Sequence, residues 1–213
     1  MTFERWADLG RHGVSTIYEA SGREGLVQIP LIQVVAGTQV AGPARTVRCG
    51  QGDNLMVHAV MDQVVDGEVL VFVMPEPRPE ALLGEILAIQ AQRRGAAALL
   101  LDAAIRDADE IRKMKLPTWT RWISPKGPDK KVWGAVNEPV VVGGVTIEAG
   151  DGVVLDADGV VIVRQSRLDD VLDLSAARTA KEDDLRKKLR DGALTYDLFG
   201  LRDVAERLRH PHV

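Results

Sequence analysis

Residues 84–110 read GEILAIQAQRRGAAALLLDAAIRDADE, and this stretch decides the fold. It begins as an amphipathic segment that ends at Gly95, a residue typical of helix C-termini. The apolar residues 97–101 follow and predict a strand that is buried on both faces. Beyond them, Arg106 and Asp107 are adjacent in what reads as a polar turn. Open α/β folds place their sites at the carboxyl ends of such strands, so we expect a functional site here.

The segments before this stretch supply further elements. Val69–Val73 is another continuous apolar run, and the helix between the two buried strands completes a β-α-β unit. Part of the sheet should therefore be parallel. Residues 31–49 are rich in Val, Ile and Thr and predict two or three strands with turns. Asp53 or Asn54 is expected to cap a helix that runs to about Val65.

The segments after it predict hairpins and a helical tail. Gly143 and Gly144 separate Val140–Val142 from Val145–Ile147, which is a hairpin signal. Trp119, Trp122, Ser124 and Pro125 lead to a polar loop over residues 126–131. A charged amphipathic helix is expected from Leu168 to about residue 190.

These elements predict an α/β fold with one compact domain over residues 1–167, built on a mixed sheet. Residues 168–213 form a helical extension that packs either on its own domain or on a neighbouring subunit.

The composition excludes several classes of function. Hydrophobic residues make up 46% and charged residues 27% of the 213-residue chain, which is typical of a globular protein. A net charge of −4 without a basic stripe argues against a nucleic-acid partner. Cys49 is the single cysteine, which fits a reducing compartment. We find neither a signal peptide nor the ~20 apolar residues that a membrane helix needs, so we expect a cytoplasmic protein without a membrane partner.

Asp107 is the best candidate for chemistry. A hard divalent ion such as Mg²⁺ or Mn²⁺ takes oxygen ligands and keeps several waters, so one or two carboxylates are enough to hold it. The alternative, which the residues alone favour, is that Asp107 caps the helix over residues 108–115. Arg106 stays charged and presents a rigid fork of donors, which suits an oxyanion. Its alternative role is a surface ion pair with Asp107 or Glu110.

Other kinds of site lack support in the sequence. His12, His58, His210 and His212 show no zinc-ligand spacing. No Gly-x-Ser-x-Gly elbow, Walker-type loop or dinucleotide-binding glycine motif occurs. The lysines that follow the buried strands lie in polar segments, which argues against an aldolase that forms a Schiff base.

Gly84-Glu85-Ile86-Leu87 and Arg106-Asp107, with twenty residues between Glu85 and Arg106, resemble a known signature. It is that of the class II pyruvate aldolases of the 4-hydroxy-4-methyl-2-oxoglutarate and 4-carboxy-4-hydroxy-2-oxoadipate aldolase family. This family shares its fold with the RraA-like regulators of ribonuclease E activity. Further pieces resemble the family in the same order, at residues 14–20, 41–47, 52–54, 139–145 and 150–154.

The resemblance implies a fold and an assembly. The family fold is a compact β/β/α sandwich, and its members form homotrimers or homohexamers. It also implies a divalent metal, Mg²⁺ or Mn²⁺, held through Asp107 with waters that complete its shell. Arg106 then binds the keto oxygen of pyruvate and stabilises the enolate.

The resemblance assigns the remaining residues as well. If a helix opens at Gly84-Glu85-Ile86-Leu87, as the residues allow, its backbone N–H groups form an anion site for the substrate carboxylate. The alternative is that Gly84 lies inside an ordinary helix. The Glu85 side chain orients a water that protonates the enolate, although many members have aspartate at this position. Two further acidic residues have implied supporting places: Glu110 near the metal and Glu182 in a neighbouring subunit's site. The alternative for Glu182 is a solvated helix face, since Asp183 and Asp184 follow it directly. Asp102 ends the buried strand, which favours a structural hydrogen-bond acceptor over a metal ligand.

The implied function is a metal-dependent carbon–carbon lyase that acts on 4-hydroxy-2-oxo diacids, as in the degradation of aromatic compounds. The products are pyruvate and a second oxo acid, with oxaloacetate decarboxylation as a side activity. The alternative is a non-enzymatic regulator that binds a ribonuclease. Having both Glu85 and the Arg106-Asp107 pair favours the enzyme, since the regulators lack the complete arrangement. A methyltransferase acting on a quinone precursor finds no glycine-rich cofactor loop in the sequence.

Overall fold

The computed structural model describes residues 3–209 and shows a curled mixed sheet with helices on its outer faces. The helices are α1 (Phe3–Arg11), α2 (Val14–Ala20), α3 (Leu55–Ala59), α4 (Glu85–Arg93), α5 (Ala108–Met114), α6 (Leu168–Arg190), α7 (Thr195–Leu198) and α8 (Leu201–Arg209). The strands are β1 (Ile32–Gln33), β2 (Val40–Arg48), β3 (Val69–Val73), β4 (Ala81–Leu83), β5 (Ala98–Ile105), β6 (Thr118–Ile123), β7 (Ala135–Val136), β8 (Val140–Val142), β9 (Val145–Ile147), β10 (Gly152–Asp156) and β11 (Gly159–Val163).

The main sheet follows the order β1-β6-β5-β3-β2-β10-β11. Its centre, from β6 to β2, is parallel, whereas β10 and β11 run antiparallel to their neighbours. Strand β2 changes partner along its length: residues 40–43 pair with β10, and residues 44–48 pair with β3. Pro43 lies at this change of partner, where the lost backbone donor is tolerated. The switch allows one strand to serve both halves of the curled sheet.

Alternate residues of β3 face two different cores, which is why its sequence is apolar throughout. Val69 and Val71 point into the space between the two halves of the sheet, where they meet residues of β10 and β11 such as Val153. Leu70 and Phe72 face the other way and pack with α3, α4 and α5. The two packed sheet layers with these helices confirm the predicted sandwich.

A further helical layer covers the opposite side of the molecule. Residues of α1 and α2, among them Trp6 and Ile17, pack on the outer face of β10 and β11 together with Leu168 at the start of α6. The N-terminus of α2 is held by Asp156 in the β10–β11 turn, since Val14 N–H donates to Asp156 Oδ2 at 2.7 Å. This layer lies away from the helices that border the candidate site.

The strands around the central stretch differ from the prediction. Strand β5 extends to Ile105, so Asp102 lies within the strand and not at its end. β4 forms where the sequence left the start of the helix open, between Glu80 and Gly84, and β6 forms in the segment that leads to the polar loop. Both strands pair in parallel with the second half of β5. Helix α3 ends at Ala59, before the predicted end near Val65. The differences in the strands arise from pairing with distant residues, which local sequence patterns do not report. Helix α3 is continued by a 3-10 turn over Val60–Asp62.

The chain divides into two compact units, with the change between Ser175 and Ala176 inside α6. The second unit contains the rest of α6 with α7 and α8. Its segment of α6 is a highly charged helix in which Glu182 pairs with Arg178 and Arg186 at 2.9 and 3.0 Å. The domain limit placed at residue 168 stays a prediction. Within residues 3–209, no helix combines the length and apolar character that spanning a membrane requires.

Candidate active site

Strand pairing brings the Gly84-Glu85-Ile86-Leu87 motif next to the Arg106-Asp107 motif. Arg106 N–H donates to the carbonyl oxygen of Leu83 at 3.0 Å, so the ends of β4 and β5 lie side by side. Gly84 therefore lies next to Arg106 and Asp107, although more than twenty residues separate them in the chain. Helix α4 begins directly after Gly84, and α5 begins directly after Asp107. The site forms where two strand-to-helix junctions meet.

The Asp107 carboxylate binds the start of α4. Its Oδ2 accepts a hydrogen bond from Glu85 N–H at 3.0 Å. Asp107 occupies the N-cap position of α5 in the left-handed conformation (φ 54°, ψ 40°), which is uncommon for a residue other than glycine. Its side chain makes no capping hydrogen bond to α5. Asp107 therefore stands at the N-cap position that the capping alternative gave it, but its carboxylate bonds the start of α4 and does not cap α5.

Gly84 provides the space for this arrangement. A Cβ on residue 84 would lie 2.4 Å from Asp107 Oδ2 and 2.9 Å from Arg106 Cγ. The backbone of Gly84 is extended (φ −136°), so a side chain is excluded here by crowding and not by strain. Any larger residue at position 84 would have to displace the side chains of Arg106 and Asp107.

Arg106 and Asp107 form only a loose ion pair. Arg106 Nε lies 3.7 Å from Asp107 Oδ2, and the two side chains are 48% and 41% exposed. An exposed pair of this kind stabilises a fold by about 0–1 kcal/mol. On its other side Arg106 Nη1 lies close to Gly127, where a Cβ would come within 3.1 Å. The guanidinium is thus held between two glycines with donors left for a ligand.

A cleft of about 260 Å³ contains this pair. Its apolar lining comes mainly from β4 and the first turn of α4, including Leu83, Ile86 and Leu87. Its polar lining consists of five side chains: Asn54, His58, Arg106, Asp107 and Lys130. A second groove, lined by Ile123, Ser124 and Pro125, also borders Arg106 and Asp107.

Sequence reasoning missed Asn54 as a site residue. Its side chain is buried, and Nδ2 donates to the carbonyl oxygen of Leu82 at 2.9 Å. Its Oδ1 is also buried and has no hydrogen-bond partner among the described residues. An unsatisfied buried acceptor costs about 1–3 kcal/mol, so this atom calls for a donor from water or a ligand.

His58 lies one helical turn beyond Asn54 in the same cleft. Burial and the positive charge of Lys130 both lower the pKa of His58. The imidazole is therefore neutral near pH 7, and Lys130 is the cation on this wall. The i,i+4 spacing of Asn54 and His58 was the available signal, because such residues share one helix face. His210 and His212 lie outside the described residues.

Asp53 fastens the loop that carries Lys130. The Asp53 carboxylate accepts N–H bonds from Leu55 in α3 and from Lys131 and Val132 in the loop. Although its burial would raise the pKa of Asp53, these N–H groups and the charge of Lys130 lower it overall. Backbone bonds between Asp129 and the residues beside Asp53 complete the attachment. The loop is thereby a fixed wall of the cleft.

The other predicted site residues have different surroundings. The Glu85 backbone bonds Asp107, but its side chain is absent from the cleft lining, and its charge acts on Lys113. Glu110 pairs with Lys113 at 3.1 Å. Asp102 is buried in β5 and accepts a hydrogen bond from Arg121 at 2.8 Å, as a structural acceptor would. Glu182 belongs to the second unit, so its implied place in a neighbour's site stays a prediction.

Asp107, the single carboxylate among the described residues that line the cleft, matches a metal held by one protein ligand. In the part of the chain that the structure describes, no three His, Cys, Asp or Glu side chains gather as a metal cage. Asp107 uses Oδ2 for its contacts, and Oδ1 has no hydrogen-bond partner within residues 3–209. Mg²⁺ and Mn²⁺ retain waters and accept one or two carboxylates, so Asp107 fits such an ion. Zinc, which takes three or four protein ligands, does not fit.

Comparison with known proteins places this chain in a family. Residues 14–162 match the family model described as "RraA-like: Aldolase/RraA". A curated relative from Halalkalibacterium halodurans, named "Putative 4-hydroxy-4-methyl-2-oxoglutarate aldolase", is 32% identical over 81% of this chain and 80% of its own length.

Two solved structures are also similar. Streptomyces coelicolor RraAS2, described as an unusual member of the RNase ES inhibitor RraA family, is 29% identical with a TM-score of 0.76 and covers 87% of this chain and 98% of its own. A Geobacillus kaustophilus protein described as an S-adenosylmethionine:2-dimethylmenaquinone methyltransferase is 33% identical with a TM-score of 0.61. That match covers 66% of this chain and 86% of the other.

Proposed function

Because this chain belongs to the RraA-like family of aldolases and RraA proteins, we propose that it is a divalent-metal-dependent aldolase. It cleaves 4-hydroxy-2-oxo diacids, such as 4-hydroxy-4-methyl-2-oxoglutarate or 4-carboxy-4-hydroxy-2-oxoadipate, to pyruvate and a second oxo acid. The observation that carries the proposal is the meeting of Gly84, Arg106 and Asp107 at the start of α4 in one cleft.

The first turn of α4 binds the carboxylate at the pyruvate end of the substrate. The first N–H groups of a helix have no acceptor within it. Asp107 takes the Glu85 N–H, whereas the N–H groups of Ile86 and Leu87 have no side-chain acceptor among the described residues. Both residues line the cleft. Two backbone donors at the positive end of a helix favour an anion at this position.

Arg106 faces the oxygen on which charge develops. When the bond between C3 and C4 breaks, the C4 hydroxyl gives its proton to water and becomes the carbonyl of the second oxo acid. The electron pair of the broken bond forms the enolate of pyruvate, and negative charge grows on the former keto oxygen. A fixed guanidinium next to that oxygen stabilises the transition state more than the ground state. A bound Mg²⁺ or Mn²⁺ at Asp107 supplies further positive charge for the same oxyanion.

The enolate must then take a proton at C3. We assign the guidance of that step to Glu85, which begins α4 beside Asp107. Its half-buried side chain has no hydrogen-bond partner in the described part of the chain, so it is available to hold a water. Decarboxylation of oxaloacetate produces the same enolate and is expected as a side activity.

A pyruvate-release assay tests this proposal. A panel of 4-hydroxy-2-oxo acids is supplied with Mg²⁺, Mn²⁺ or EDTA, and pyruvate is measured with lactate dehydrogenase. We expect turnover of the diacids with either metal and none with EDTA. Metal-independent release would contradict the mechanism.

A second candidate function is the binding and inhibition of a ribonuclease. The observation in its favour is the similarity to RraAS2, which covers nearly the whole length of that protein. The two functions separate in one comparison: the wild type and Asp107→Ala are tested for pyruvate release and for inhibition of a purified ribonuclease E catalytic domain. Inhibition by both, without pyruvate release by either, would favour the regulator.

We further propose a cytoplasmic homotrimer or homohexamer in which the extension over residues 168–213 contributes Glu182 to a neighbouring site. Arg178 and Arg186 hold the Glu182 carboxylate in a fixed position within its own helix. Mixed oligomers of inactive Arg106→Ala and Glu182→Ala subunits should regain part of the activity, because some sites then receive both intact residues. Verified mixed oligomers without recovered activity would exclude a shared site.

A further inference from the structure

A short segment directly after β6, the strap (residues 124–127), bounds one side of the Arg106 guanidinium. The strap reaches Arg106 at Gly127, where a Cβ would come within 3.1 Å of Arg106 Nη1. Gly127 and Arg106 line the same cleft. Because the strap limits the space that is open to the guanidinium, any contact that fixes the strap also helps to fix Arg106.

Backbone hydrogen bonds attach the strap at two points. Ser124 N–H donates to the carbonyl oxygen of Ile105, at the end of β5, at 2.9 Å. The carbonyl oxygen of Lys126 accepts a hydrogen bond from Ala81 N–H, at the start of β4, at 2.8 Å. Both bonds are formed before the chain reaches Gly127. The position of Gly127 therefore depends on how firmly the residue before it, Lys126, is held.

The Lys126 side chain supplies a third attachment, to Glu80. Lys126 Nζ forms a hydrogen-bonded ion pair with Glu80 Oε1. The Glu80 side chain is only 13% exposed, whereas that of Lys126 is 66% exposed. A carboxylate that is largely removed from water needs a charged or hydrogen-bonding partner. The burial of Glu80 therefore holds the Lys126 ammonium group at one place.

Glu80 is itself fixed to the strand that ends in Arg106. Its carbonyl oxygen accepts a hydrogen bond from Ala104 N–H in β5 at 3.1 Å, two residues before Arg106. Its second carboxylate oxygen, Oε2, lies against the backbone of Gly52, where a Cβ would overlap it. The ion pair with Lys126 thus ties the strap to the same strand that carries the guanidinium.

From these contacts we propose that Glu80 and Lys126 are positioning residues, which hold the strap against Arg106 and so direct its guanidinium toward the developing enolate oxygen. Neither residue is among the described residues that line the cleft, so neither touches the substrate there. This inference rests on the proposed aldolase function and deepens it. Since the contribution of Arg106 grows as the enolate forms, loss of the pair should lower kcat and leave KM nearly unchanged.

Lys126→Met tests the pair directly, with Lys131→Met as the matched control. Lys131 belongs to the same loop and also forms an ion pair, with Asp129 at 3.5 Å. A displacement of about 1 Å costs on the order of 100-fold in rate, and the backbone bonds of the strap keep the shift smaller, so we expect kcat of Lys126→Met to fall roughly 10-fold. Lys126→Arg keeps the cation and should regain most of the loss. A loss confined to KM, or an equal loss in Lys131→Met, would overturn the proposal.

Glu80→Gln separates positioning from a long-range effect of charge. It removes a negative charge, whereas Lys126→Met removes a positive one, so a direct electrostatic effect on the enolate would change kcat in opposite directions. Positioning instead predicts a fall in kcat in both variants, and no further fall in the double variant, because one contact is lost in each case. Opposite or additive changes would overturn the proposal. If Glu80→Gln fails to fold, Lys126→Met still decides, because it alters an exposed side chain.

Oxalate, a planar dianion that resembles the pyruvate enolate, provides a readout that is independent of turnover. Calorimetry in the presence of Mg²⁺ should show weaker oxalate binding by Lys126→Met and Glu80→Gln than by the wild type and Lys131→Met, with equal pyruvate binding by all four. Pyruvate release by the wild type, with kcat and oxalate affinity unchanged in both variants, would overturn the positioning role and retain the aldolase. Oxalate binding that depends on the pair, without pyruvate release by any protein, would overturn the aldolase and retain the positioning role.

Discussion

Gly84→Ala tests the central geometry with the smallest possible change. A methyl group at this position would lie 2.4 Å from Asp107 Oδ2, whereas ordinary contacts begin at 3.4 Å. The carboxylate must therefore move by about 1 Å, and Arg106, whose Cγ would be 2.9 Å away, must move as well. A misplacement of about 1 Å at reacting groups costs on the order of 100-fold in rate. We expect kcat for pyruvate release to fall by about this factor.

The fold should tolerate the same change. Alanine adopts the extended backbone of Gly84 without strain. Gly84 has no side chain to cap α4, so the substitution removes no capping hydrogen bond. The free energy of unfolding should therefore change by no more than about 1 kcal/mol. Thermal and urea unfolding of Gly84→Ala check this expectation. Large losses of both stability and activity would show that the substitution disrupts more than the site.

A graded control is available at Gly127. A Cβ there approaches only Arg106 Nη1, at 3.1 Å, so the guanidinium needs to shift by a few tenths of an ångström. Gly127→Ala should lose much less activity than Gly84→Ala. Wild-type turnover by Gly84→Ala, or a larger loss in Gly127→Ala, would refute the reasoning that Gly84 positions Asp107.

Three further predictions concern the acidic and basic groups of the site. Asp107→Ala should abolish pyruvate release in the presence of Mg²⁺ while circular dichroism shows an intact fold, because its contacts are exposed; retained activity would contradict a metal held there. Arg106→Lys should lower kcat by roughly 10²–10³ with a smaller effect on KM, since it keeps the charge but loses the planar fork; a change in KM alone would indicate ground-state binding. Glu85→Gln should slow deuterium exchange into the methyl group of pyruvate, followed by NMR, without loss of pyruvate binding. Exchange at the wild-type rate would leave Glu85 as an ordinary acidic residue in the first turn of α4.

The sequence by itself determined the central β-α-β unit and the position of the candidate site at its carboxyl end. Residues 84–110 carry a helix, a glycine stop and a buried strand in patterns that depend on neighbouring residues alone. The same stretch contains both halves of the aldolase signature, so Arg106 and Asp107 could be selected as candidates before their surroundings were known. Gly143-Gly144 specified the β8–β9 hairpin for the same local reason.

Only the tertiary structure decided what those residues contact. β4 and β6 are strands because they pair with the second half of β5. Neither segment has a local sequence pattern that predicts a strand. The left-handed backbone of Asp107 turns its carboxylate from the helix that follows it to the helix whose first residue, Glu85, lies far back in the chain. Asn54 and Lys130 share a cleft because the Asp53 carboxylate binds the backbone N–H groups of Lys131 and Val132, far along the chain. Such N–H groups occur at nearly every residue, so the sequence does not show which of them Asp53 will bind. Contacts of this kind depend on how the chain packs, so composition and periodicity could not reveal them.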